Sequence, residues 1–181
     1  MVSILKSRQG STSAISSGNR RAVALLEVMW DWRSKTTRAG YRELAPRWYR
    51  INPQNLSGSR LYSWLGKPGE YFDELLVTNA CPELVSAANR RGTPDPFYIQ
   101  ENLRDLQPFS LLLVCGAVAQ RSYNVSWVLG KSRILEIPHP ANRTWTRRAL
   151  KQAADYIQHG RTDLELKLEN GRLIGRHLIP F

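Results

Sequence analysis

The sequence predicts an α/β domain built on a largely parallel sheet. Three observations point there. Apolar, strand-like runs alternate with helical patterns over most of the chain, the arrangement that builds parallel sheets with crossover helices. The run Leu111 to Cys115 is continuously apolar and bounded by Pro108 and Gly116, as expected of a strand buried on both faces. Near the end, Leu164, Leu166 and Leu168 alternate with polar residues up to Asn170-Gly171, a strong hairpin signal.

Residues 1–18, rich in Ser and without an apolar core, read as a flexible leader and not a secretory signal; residues 19–181 read as one domain. Residues 19–35 fit a helix capped by Asn19, because Val23, Leu26, Met29 and Trp30 recur at helical spacing. Residues 47–51 suggest a short strand running into the turn Asn52-Pro53-Gln54-Asn55. A short helix over 57–65 is ended by Gly66-Lys67-Pro68-Gly69. Strands are expected over 74–78, 111–115 and 133–137, and helices over 95–106, from 117, and over 144–158. The loop Pro138-His139-Pro140-Ala141-Asn142 joins the last of these strands to the last helix.

Composition narrows the class. The 181 residues suffice for one hydrophobic core, and Lys plus Arg number 26 against 15 acids, a net charge of +11. That excess predicts an anionic partner, foremost nucleic acid. No apolar run nears the roughly 18 residues of a membrane span, so a soluble, cytoplasmic protein is expected. Two cysteines without a C-x-x-C, and three histidines, argue against structural zinc and iron–sulfur clusters. Gly130-Lys131-Ser132 is no phosphate loop, because Val125 occupies the first glycine position. Positive charge concentrates over 20–50 and over 131–161.

In an open parallel sheet the ligand crevice lies outside the carboxyl ends of the strands. The ends of the four main expected strands carry Asn52, Asn79, Gly116 and His139. This set has no nucleophile elbow, no paired carboxylates and no metal-ligand group. Hydrolysis by a positioned water, with hydrogen bonds to a leaving group, is the chemistry it can serve.

These strand ends, in this order, resemble the uracil-DNA glycosylase superfamily. Ile51-Asn52-Pro53 is similar to its G-I-N-P motif and Val77-Thr78-Asn79 to the strand whose Asn reads the flipped base. Leu106 through Ala117 looks like the segment ending in L-G-x-x-A, and His139-Pro140-Ala141-Asn142-Arg143 like the H-P-S motif with its intercalating loop. The resemblance covers roughly residues 47–158. It implies a three-layer α/β/α fold with a central four-stranded, mainly parallel sheet, to which this chain adds a C-terminal β-hairpin.

Carried over residue by residue, the resemblance implies that Asn52 orients the attacking water and that His139 stabilises negative charge on the departing base. Asn79 would hydrogen-bond the edge of the extruded base. Arg143 would fill the gap left in the duplex. Independently of the resemblance, Arg147, Arg148 and Lys151 lie near the start of the helix after this loop, where amide donors also favour phosphate, and Asn142 is expected to bind DNA with them. No Lys stands at the motifs, so a monofunctional enzyme without cofactor or lyase step is expected, working as a monomer on double-stranded DNA.

Three departures bear on substrate. Arg50 replaces the Gly before Ile51, Ala141 replaces the usual Ser, and Gln54 stands where strict uracil enzymes carry a Tyr that blocks C5 substituents. A pocket without that Tyr suits a 5-modified pyrimidine. Some bacterial anti-phage members of the superfamily excise glucosylated 5-hydroxymethylcytosine, and Gln54, Asn55 and Arg50 would then bond the sugar. The alternatives are a uracil or mismatch glycosylase of base-excision repair, or a non-catalytic DNA-binding protein on the same fold. The aromatic that stacks on the base is one of Tyr62, Trp64, Tyr71 and Phe72. Trp30, Trp32, Trp48 and Trp127 read as core or interface residues, and Cys81 and Cys115 as inert buried thiols.

Overall fold

The run Arg21–Leu26 forms a strand, β1, every residue of which is buried. The computed structural model describes residues 20–30, 45–85, 92–128, 132–159 and 164–177; the leader expected over 1–18 lies outside the described residues. Over residues 20–30, β1 and the short strand after it replace the helix expected over 19–35; the rest of that span lies outside the described residues. Ala22, Ala24 and Leu26 join the apolar cluster on one face of the sheet, and Val23 and Leu25 the cluster on the other. Such a run satisfies a helical spacing by accident, because every position after Arg21 is apolar. A strand with neighbours on both sides buries all of it; a surface helix buries only a stripe.

The remaining elements follow in order as β2 (Met29–Trp30), β3 (Trp48–Arg50), α1 (Leu56–Leu65), β4 (Glu74–Asn79), β5 (Leu84–Val85), α2 (Pro96–Leu106), β6 (Leu111–Cys115), α3 (Ala117–Ser122), a 3₁₀ turn Val125–Trp127, β7 (Arg133–Ile137), α4 (Arg147–Gln158), β8 (Leu164–Glu169) and β9 (Arg172–His177). The main sheet is mixed and has seven strands, in the order β3-β4-β1-β6-β7-β8-β9. This is larger than the four-stranded sheet expected. β4, β1, β6, β7 and β8 run parallel, while β3 and β9 are antiparallel edge strands. β2 and β5 form a separate two-stranded ladder.

Two apolar clusters flank the sheet. Leu61, Trp64 and Leu65 of α1 share one with Ala149, Ala153 and Ile157 of α4, while Ile99, Leu103 and Leu106 of α2 share the other with Ala119 of α3. Each long helix begins on a side-chain cap that satisfies otherwise free amides: Asn55 for α1, Asp95 followed by Pro96 for α2, and Thr146 for α4. At the amino end of the sheet the buried Arg21 guanidinium bonds Glu74 at 2.6 and 2.7 Å and the Leu106 carbonyl at 2.6 Å. One charged pair thus locks β1, β4 and the end of α2 together.

Candidate functional site

The parallel strands follow one another in space as second, first, third, fourth and fifth in chain order. The connections therefore reverse direction between β1 and β6, and a crevice opens at the carboxyl ends of strands on either side of such a switch. The residues at these ends are Asn79 (β4), Glu27 (after β1), Gly116 (after β6) and His139 (two residues after β7). Leu26 pairs with Asn79 and Cys115 with Ile137, so the four stand in one row. An open cleft of about 480 Å³ adjoins the Gly116–His139 end of the row, lined by Gly116, Gln120, His139 and Thr144 and by Glu165 and Lys167 of β8; Asn79 and Glu27 are not among its lining residues.

Asn79 is completely buried, and neither its amide oxygen nor its amide nitrogen meets a hydrogen-bond partner. It is the only described residue with both side-chain polar atoms in that condition. The Tyr49 hydroxyl lies beside it; burial pushes that phenol's pKa up and the neighbouring amide pulls the other way, but the approach falls short of hydrogen-bond geometry. The residue before Asn79 is held tightly. Arg47 Nε donates to Asn102 Oδ1 at 2.7 Å, Asn102 Nδ2 to Thr78 Oγ1 at 3.0 Å, and Thr78 Oγ1 to the Arg47 carbonyl at 2.8 Å. The ring fixes the end of β4 while leaving the Asn79 amide free, and an unpaired buried amide costs about 1–3 kcal/mol per group.

His139 is held in one tautomer. The Ala141 N–H donates to its Nδ1 at 3.1 Å, so Nδ1 is the acceptor and the proton sits on Nε2. Burial holds its pKa below the usual imidazole value, which keeps the ring neutral near pH 7. Trp145 Nε1 donates to the His139 carbonyl at 3.0 Å. Gly116, with φ +86°, lets the ring come close, since a Cβ there would stand 3.0 Å from His139 Cβ.

Asn52 does not join this row. β3 runs antiparallel to β4, with Trp48 opposite Thr78 and Arg50 opposite Leu76. Extending that register puts Asn52 level with Glu74, five residues short of Asn79 and roughly 16 Å from it along the strand. Its exposed side chain accepts the Gln54 N–H at 2.9 Å, closing a turn, and its carbonyl packs against Gly58 of α1. Asn55 spends its side chain capping α1 on the Gly58 N–H at 2.7 Å. Arg50, Gln54 and Asn55 are exposed, and none of them lines the cleft beside His139. The strand direction, set by tertiary pairing, is the physical reason that the carboxyl end of β3 lies away from the others.

Glu27 is the residue missed. It is half-buried, the first polar residue after β1, and its carbonyl accepts the Cys81 N–H at 2.9 Å just beyond β4. The signal was present: an apolar run ending in a carboxylate. Gln120 of α3, which donates to the Ile137 carbonyl at 3.2 Å, is a second unforeseen lining residue. Of the four aromatics considered for stacking, Trp64 lies fully buried against Trp145, ring centroids 4.9 Å apart. Burial pushes the Cys81 thiol up to about 12 and the Cys115 thiol higher still, so both are inert thiols near neutral pH. Among the described residues no three His, Cys, Asp or Glu side chains group as a metal site.

Arg143, Arg147, Arg148 and Lys151 are all exposed on the loop after His139 and the first turns of α4. Among the described residues none of the four has an acidic partner, whereas Arg20, Arg21, Arg47, Arg104, Lys167 and Arg176 each have one. Asn142, by contrast, is occupied: its Oδ1 accepts the N–H and hydroxyl of Thr144, each at 3.0 Å. No described helix is long and apolar enough to cross a membrane. Comparison with protein families, curated proteins and solved structures finds no match to this chain.

Proposed function

We propose that the protein is a monofunctional DNA glycosylase, which takes a base out of the helix and hydrolyses its N-glycosidic bond to leave an abasic site. The observation that carries this reading is the Asn79 amide, buried at a strand end with donor and acceptor both unpaired. A planar ligand that offers one acceptor and one donor on the same edge, as a pyrimidine does, satisfies both at once. In this reading β4, β1, β6 and β7 are the four-stranded heart of a three-layer α/β/α fold similar to the uracil-DNA glycosylase superfamily, with β8 and β9 as the added hairpin.

The chemistry divides among the row. His139 directs its Nε2–H at the base oxygen on which charge develops as the bond from the sugar C1′ to the base nitrogen breaks, the electron pair leaving with the base. Water then bonds to C1′ and gives its proton to the Glu27 carboxylate, which takes the role expected of Asn52. Arg143, Arg147, Arg148 and Lys151 hold the phosphates around the extruded nucleotide. Selectivity for a 5-modified pyrimidine, such as glucosylated 5-hydroxymethylcytosine in phage DNA, falls to the open cleft, where Gln120, Thr144, Glu165 and Lys167 offer groups that bond hydroxyls.

A second reading, a DNA-binding protein without catalysis on the same fold, is favoured by the commitment of Asn52 to a turn. One assay separates the readings. Duplexes and single strands carrying uracil, a thymine mismatch or glucosylated 5-hydroxymethylcytosine are incubated with wild-type, Glu27→Gln and Asn52→Ala protein, and abasic sites are scored by alkaline cleavage. A glycosylase releases at least one base, loses roughly 10²-fold or more on Glu27→Gln and little on Asn52→Ala. Release of none of the bases, with DNA still bound, establishes the binder. Release of uracil alone transfers the activity to repair.

A further inference from the structure

Arg60 stands on α1, outside the row of strand ends, yet its Nη1 donates to two carbonyls of the His139 loop. These are Pro140 O and Asn142 O, the latter at 2.7 Å. The Pro140 carbonyl belongs to the same peptide group as the Ala141 N–H, and in a trans peptide the two point in opposite directions. That N–H is the one that donates to His139 Nδ1 at 3.1 Å. The atoms therefore form a single line: guanidinium, Pro140 carbonyl, Ala141 N–H, imidazole Nδ1.

From this line we infer that Arg60 is a positioning residue that sets the tautomer of His139 through the Pro140–Ala141 peptide. A cation bonded to the carbonyl oxygen polarises the peptide and strengthens the N–H as a donor on its far side. A stronger donor at Nδ1 holds the ring with its proton on Nε2, where it is available to a ligand. The second bond, to Asn142, stops the peptide from rotating. The helix that carries Arg60 is itself anchored at both ends. Asn55 caps α1, Gly58 seats against the Asn52 carbonyl, and Trp64 packs on Trp145, whose Nε1 holds the His139 carbonyl. The turn Asn52-Pro53-Gln54-Asn55 thus reaches the site indirectly, as the base of that helix.

The inference rests on His139 acting as a donor in the proposed base release, but its test does not depend on that activity. The chain has three histidines, so imidazole nitrogens can be followed singly by ¹⁵N NMR. His159, exposed at the end of α4, serves as the internal control. The charged groups near His139 are Arg60 from α1, Glu165, Lys167 and Glu169 from β8, and Glu27 in the row of strand ends, and only the first is altered. Wild-type protein is expected to show the Nε2–H form alone at pH 7.5. Arg60→Met should give a mixture of tautomers at His139, with its titration moved up towards the ordinary imidazole value as the loop takes in water, and His159 unchanged. Millimolar guanidinium added to Arg60→Met should restore the single tautomer.

If a releasable base has been found, kcat should fall about 10- to 100-fold with KM nearly constant, and guanidinium should restore part of it. Should Arg60→Met fail to fold, Arg60→Gln, which removes the charge and keeps a neutral donor, gives the same reading in weaker form. An unaltered Nε2–H signal and titration at His139 in the folded variant overturns the inference, whatever happens to activity. A shifted signal in a protein that releases no base leaves the relay standing and removes the glycosylase reading instead.

Discussion

Gly116 and His139 face each other across the ends of β6 and β7 with no room between them: a Cβ on Gly116 would lie 3.0 Å from the Cβ of His139. The glycine also holds φ at +86° and ψ at 162°, a region essentially reserved for glycine that costs an L-residue about 1–3 kcal/mol. Gly116→Ala should therefore lower stability by about 1–3 kcal/mol in denaturant titration and push the imidazole away from the crevice. Base release should fall by at least tenfold in the fraction that remains folded. A variant with wild-type activity and stability would mean that the loop gives way easily and that the close approach has no function.

The unpaired Asn79 amide makes a prediction of opposite sign for stability and function. Replacing a buried, unsatisfied amide by an apolar side chain of similar size removes a desolvation cost of about 1–3 kcal/mol. Asn79→Leu should raise the melting temperature or leave it unchanged, while abolishing discrimination among bases and most base release. An ordinary structural amide would behave otherwise, because its loss destabilises the fold. Differential scanning calorimetry beside the abasic-site assay separates the two cases.

The pH dependence follows from His139. Burial lowers its pKa in the folded protein below the 6.5 of a free imidazole, so near and just below that pH the unfolded chain binds the extra proton and the native one does not. The stability contribution is thus fully present above pH 6.5 and declines as pH falls through that value towards the folded pKa. Protonation would also bring an Nδ1–H against the Ala141 N–H, two donors facing each other. The unfolding free energy should fall on acidification from about pH 7 to about pH 5.5, and less so in His139→Gln. Equal slopes for the two proteins would show that the imidazole titrates normally.

How far the site could be read from the sequence depended on strand direction more than on residue type. Asn79, Gly116 and His139 follow apolar runs that can only be central strands, and their carboxyl ends coincide because β4, β6 and β7 run parallel. Asn52 follows an equally plausible strand, but β3 lies antiparallel at an edge, and nothing local in Trp48-Tyr49-Arg50 encodes that. β1 failed for another reason. Arg21–Leu26 is apolar at almost every position, so periodicity carries no information there, and the helical reading also hid Glu27 at the switch point. The hairpin was legible because Asn170, at φ +47°, and Gly171, at φ +72°, are the residue types its turn demands.

Arg147 and Arg148 occupy the first turn of α4, which carries no acidic residue. Cations at a helix N-terminus oppose the macrodipole, by about 0.3–1 kcal/mol each at exposed positions. Their presence makes sense if an anion sits there, because the free amides and the two guanidiniums then act together on a phosphate. The double change Arg147→Glu with Arg148→Glu should stabilise the isolated protein slightly and weaken DNA binding. The slope of log K against log salt should shrink by about one unit for each phosphate no longer held. Reversing Arg172 and Arg176 on β9 instead, where Arg176 already faces Glu169 at 4.0 Å, should leave that slope nearly unchanged. Equal effects from the two pairs would mean that the whole basic surface attracts DNA without a preferred track, and the proposed grip around His139 would have to be abandoned.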